Sequence, residues 1–97
     1  MNPQSIYVDT ALKDRITDFL KKEAIQLNMS TDKACQVHIL TSNEQQACNL
    51  TRLYEKGYII CPVALTLAQK LNLPSKQLGK LLNHLTIKIK ECGLGCF

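Results

Sequence analysis

The stretch Leu65-Thr-Leu-Ala-Gln-Lys-Leu-Asn-Leu-Pro-Ser-Lys-Gln-Leu-Gly-Lys-Leu-Leu82 divides into two amphipathic halves at Asn72-Leu73-Pro74. Val63, Leu67, Ala68 and Leu71 recur at helical spacing before the break, and Leu78, Leu81, Leu82 and Leu85 do so after it. Two helices that cross steeply over a short turn need a small residue where the second passes closest. The turn also needs a residue that tolerates left-handed backbone, followed by an apolar plug. Ala68, Asn72 and Leu73 supply these at the required spacing, asparagine being a workable substitute for glycine at positive φ. The pattern predicts helices over 62–71 and 75–84. Pro74 stiffens entry to the second, and Gly79 in mid-helix, costing about 1 kcal/mol relative to alanine, implies a close approach to the backbone there.

Working outward, Cys61-Pro62 opens the first of these helices with proline in its first turn, where a missing N–H costs nothing. Tyr58 to Ile60 reads as a brief strand. Before it, Ser42 with Gln45 makes a capping box, and Ala47, Leu50, Leu53 and Tyr54 give a helix over 43–56 that Gly57 ends. Cys35 to Thr41 alternates, with Val37 and Ile39 on one side, and reads as a half-buried strand after the polar loop 28–33. At the start, Asp9-Thr10 can cap a helix over 10–27 whose apolar residues are Leu12, Ile16, Phe19, Leu20 and Leu27. That stripe needs a partner, either the rest of the domain or a second copy of the chain. Beyond the two central helices, Thr86-Ile-Lys-Ile-Lys90 alternates as a strand with a basic outer face, 86–91 in extent, which either leads into a truncated wing or pairs with 35–41 or with another chain. The expected fold is mainly α with a small β component, one domain over 1–97, in which 1–34 is an N-terminal dimerisation element and 35–97 the core.

Charge is distributed unevenly. Residues 1–60 carry seven basic and seven acidic side chains, whereas 61–97 carry Lys70, Lys76, Lys80, Lys88 and Lys90 against Glu91 alone, so the net +4 belongs to the second segment. A solvated helix face accounts for such a run as readily as a polyanion does. If the helix 75–84 enters the major groove of double-stranded DNA, its outward residues are Ser75, Lys76, Gln77, Lys80, Asn83 and His84, with Lys88 and Lys90 on phosphates from the following strand. Gln77 suits adenine, and Lys76 and Lys80 suit phosphate or guanine.

At 97 residues there is no room for a catalytic and a sensor domain together. The longest apolar stretch, Tyr58–Leu65, is far short of the roughly 20 residues a membrane span requires, and no leader pattern is visible at Met1–Asp9, which points to a cytoplasmic chain without membrane contact. Two histidines, His38 and His84, stand without a nucleophile motif or a phosphate loop, so the chain reads as non-enzymatic.

Five cysteines form an odd set, which argues for thiols or metal ligands over a disulfide framework. Cys92 and Cys96 are separated by glycines and Leu94, and Cys61 opens a helix, where the positive end of the dipole favours the thiolate that metals require. These three could converge on zinc or an iron–sulfur cluster, with a fourth ligand from His84, Cys48, Cys35 or another chain. Burial as inert thiols is the plainer alternative.

The motif at 65–82 resembles the helix-turn-helix of bacterial and archaeal transcription regulators, and the order of elements from 43 to 91 looks like the winged-helix variety. Cys61-Pro62 and Cys92-Gly-Leu-Gly-Cys96-Phe97 are similar to features of short prokaryotic helix-turn-helix proteins classed loosely with the DNA-binding domains of molybdate-responsive regulators. Cysteine-bearing winged helices linked to ferrous iron transport are a looser likeness. The resemblance implies a small dimeric DNA-binding regulator, gated by metal or redox state. The alternative is a protein-interaction or accessory module that uses the same helices for protein and carries a metal or iron–sulfur centre.

Overall fold

The computed structural model describes residues 4–41 and 44–90. Among these, four helices and three two-stranded sheets enclose one hydrophobic core, so the chain is mixed α/β with helix the larger part. Strand β1 (Ile6–Tyr7) leads into helix α1 (Thr10–Glu23) and returns as β2 (Met29–Ser30), which pairs with β1 in parallel. A parallel pair needs a crossover connection, and α1 provides it. Strands β3 (Val37–Thr41) and β4 (Glu44–Cys48) pair antiparallel, with Val37 opposite Cys48 and Ile39 opposite Gln46. Helix α2 (Leu50–Lys56), strand β5 (Tyr58–Ile60), helices α3 (Cys61–Lys70) and α4 (Ser75–His84) and strand β6 (Lys88–Lys90) complete the order. Strand β6 pairs with β5 in parallel, so here α3 and α4 together form the crossover.

Two sequence expectations are corrected in the middle of the chain. The helix expected over 43–56 is strand β4 followed by the shorter α2, because Asn49 is the N-cap: its side chain accepts from the Arg52 N–H at 2.6 Å. The segment 44–48 is drawn into a strand by pairing with β3. The strand expected over 86–91 begins at Lys88 and joins β5; it pairs neither with 35–41 nor, among the described residues, with a wing hairpin.

The ends of α1, α3 and α4 are built alike. In each, a residue one or two places after the helix stands in the left-handed region (Ala24 φ 55°, Asn72 φ 56°, Thr86 φ 57°), and the next N–H donates back into the last turn: Ile25 to Leu20, Leu73 to Ala68 and Ile87 to Leu82, at 2.8–2.9 Å. This is the Schellman arrangement, with buried Ile25, Leu73 or Ile87 closing each turn. Helix α1 consequently ends at Glu23, four residues before the expected Leu27, and Thr86 is the left-handed residue that turns the chain after α4, where a strand residue was expected. A β-branched residue in the left-handed region is strained by about 1–2 kcal/mol. Thr86→Gly is therefore expected to raise the unfolding free energy by about 1 kcal/mol, read as an upward shift of the urea midpoint; an unchanged or lowered midpoint would contradict the strain.

The apolar stripe of α1 is used inside the chain. Ile16 and Leu20 are buried, Leu12 and Phe19 pack partly buried against the same core, and Tyr54 on α2 is the one exposed large hydrophobic side chain among the described residues. The rest of the domain thus covers the stripe of helix 10–27 at Leu12, Ile16, Phe19 and Leu20. No described helix is long and apolar enough to cross a membrane.

Candidate nucleic-acid interface

The α3–α4 pair is held by a dry seam. Leu67 and Ala68 from α3, Leu71 and Leu73 from the turn, and Leu78, Leu81 and Leu82 from α4 are all buried, with Leu67, Leu78, Leu81 and Leu82 wholly removed from solvent. Ala68 sits where the expected small residue belongs, Asn72 takes the left-handed turn position, and Leu73 plugs the core with its N–H on the Ala68 carbonyl.

With one side of α4 fixed against α3, Lys76, Lys80 and Asn83 are exposed at a spacing that places them on one face. Ser75, Gln77 and His84 are only half-exposed. Helix α1 accounts for part of that covering. The His84 ring stacks on Phe19 with centroids 4.2 Å apart and planes 8° from parallel, and its Nε2 is buried without a hydrogen-bond partner among the described residues. His84 is therefore turned onto α1, against the expectation that it faces outward. One helical turn earlier, Lys80 Nζ lies 3.5 Å from Glu23 Oε2. With the lysine side chain 55% exposed this pair contributes little stability, but it places an acid beside one of the exposed cations of α4.

Lys88 and Lys90 are exposed on β6, opposite Tyr58 and Ile60 of β5 in register. Lys90 Nζ stands 4.3 Å from the centre of the Tyr58 ring, and Lys56 Nζ of α2 stands 4.6 Å from the same centre. These cation–π contacts draw Lys90 of β6 into a basic group with α2. Nothing in the sequence alone singles out Lys56 and Tyr58 for this role, since 34 positions separate Lys56 from Lys90.

Cys92 and Cys96 lie outside the described residues, and Cys61 is buried at the start of α3. Among the described residues no three His, Cys, Asp or Glu side chains are grouped to hold a metal ion. Cys35 Sγ donates to the Ser5 carbonyl at 3.2 Å. Cys48 is buried at the end of β4, and burial pushes its thiol from 9.0 up to about 11, with Arg52 and Lys56 pulling weakly the other way. The sign follows from which form folding favours. Below pH 9 the thiol is protonated in both folded and unfolded chains and its burial is undisturbed; from 9 to 11 only the unfolded chain loses the proton, and stability falls. The destabilisation caused by Cys48→Ala should therefore shrink across that interval, and a difference from wild type that stays constant from pH 9 to 11 would contradict the assignment.

No family model, curated protein or solved structure matches this chain.

Proposed function

We propose that this protein binds double-stranded DNA through a helix-turn-helix of winged-helix-like arrangement, with α4 as the recognition helix. One observation carries the reading: α3 and α4 are locked over a left-handed Asn72 turn, and the face of α4 turned away from that seam exposes Lys76, Lys80 and Asn83. Such a face suits a major groove, where lysines meet phosphates or guanine and polar side chains near the start of the helix meet base edges. Gln77, half-exposed in the first turns, remains the residue best suited to adenine. The excess charge of the second part of the chain supports the same reading, since a basic segment is drawn to a polyanion at long range. Strand β5 before the helix pair and β6 after it support the winged-helix-like part.

A regulatory role follows as the ordinary use of such a module. The test is the affinity for a mixed-sequence duplex measured by fluorescence anisotropy over a range of salt concentrations. Binding through phosphates gives a linear fall of log affinity with log salt, and the slope counts the phosphates neutralised. Absence of binding at low salt, or binding indifferent to salt, would end the proposal.

A further inference from the structure

A cavity of about 130 Å³ opens between β4, α2 and β5, away from the α3–α4 turn. Its apolar lining includes Leu53, Ile60 and Val63, and its charged lining is Arg52 and Lys56. Lys90 adds a third cation at the Tyr58 ring that lines the same opening. Arg52 and Lys56 stand four residues apart on one helix, a spacing at which like charges repel. Lys56 and Lys90 converge on one aromatic ring from different elements. Among the described residues none of the three has a carboxylate within ion-pair distance, the Lys80–Glu23 pair lying elsewhere. Three clustered cations beside a low-dielectric cavity concentrate positive potential at its mouth, a cost that a bound anion would offset. Both α2 cations act on the Cys48 thiol in the cavity lining, so their field reaches inside.

We infer that this cavity binds a small organic anion, its charged head held by Arg52 and Lys56 and its apolar body lying against Leu53, Ile60 and Val63. Concavity distinguishes this occupant from duplex DNA: pockets that enclose small ligands are recessed, with an apolar lining and a few polar groups, whereas phosphates along a duplex meet protruding side chains. The inference does not depend on DNA binding, because neither α4 nor its exposed face contributes to the lining.

Hexanoate is the probe, titrated into the ¹⁵N-labelled full chain while amide shifts are followed, with hexanamide and inorganic phosphate as counterparts. Saturable shifts confined to residues lining the cavity are expected, with hexanamide and phosphate each bound at least tenfold more weakly. Arg52→Gln with Lys56→Gln should weaken hexanoate at least tenfold while leaving the urea midpoint in place, both side chains being exposed. No saturable shift, equal binding of hexanamide, or hexanoate binding untouched by the double substitution would overturn the inference. Phosphate binding as tightly as hexanoate would remove the apolar body from it. Shifts of these same amides by a duplex, without any by hexanoate, would make the basic group a DNA-backbone contact and overturn it as well.

Discussion

Leu81→Ala is expected to lower the unfolding free energy by about 2–5 kcal/mol, the range seen when a fully buried leucine is cut back and its cavity cannot collapse. Leu81 is wholly buried in α4, and its backbone carbonyl accepts from the Leu85 N–H at the helix end, so the substitution acts on the seam that fixes α4 against α3. For a chain of this size that is a large share of the total stability. Asn83→Ala, two residues further on and exposed, is the control, expected within about 0.5 kcal/mol of wild type. Urea unfolding followed by circular dichroism reads both. A loss below about 1 kcal/mol at Leu81 would mean that the two helices are not held together as described.

The second large effect concerns binding. If α4 meets the phosphates, Lys76→Ala with Lys80→Ala should flatten the salt slope by roughly 1.8, about 0.9 for each phosphate no longer neutralised. Affinity at low salt should fall roughly tenfold for each lysine, as expected for a charge-assisted hydrogen bond worth about 1.5 kcal/mol. The two lysines should not be equal. Lys80 lies beside Glu23 and part of its charge is already answered, so Lys76→Ala should cost more, and Glu23→Gln should strengthen binding by releasing Lys80. Duplex anisotropy over a salt series checks all four proteins. A Glu23→Gln variant that binds more weakly than wild type would contradict the placement of Lys80 at the interface.

Helices α3 and α4 were readable because their signals are local. Pro62, the spacing of Val63, Leu67, Ala68 and Leu71, and the Asn72-Leu73-Pro74 break place α3 and α4 to within a residue of where they lie. The hairpin was not readable in full, because Glu44-Gln-Gln-Ala-Cys48 has little intrinsic strand preference and follows a serine at capping-box spacing. Pairing with its antiparallel neighbour β3 decides its conformation. The two-residue strands β1 and β2 are too short to carry a periodicity at all. Helix α1 ends on an alanine in the left-handed region, where a glycine would have marked the stop. At the site, exposed Lys76, Lys80 and Asn83 follow from the helical period, but the turning of His84 onto Phe19 does not, since periodicity cannot say which flank of α4 another helix will cover. The joining of Lys90 to Arg52, Lys56 and Tyr58 was invisible too, because it comes through the β5–β6 pairing and not through spacing along the chain.

The most direct test of DNA binding through α4 is an amide-shift map of the ¹⁵N-labelled chain titrated with duplex DNA at low salt. The largest changes are expected between Asn72 and Asn83, centred on Lys76, Gln77 and Lys80, and should fade as salt is raised. Changes that leave α4 untouched, or no changes at any salt concentration, would contradict it.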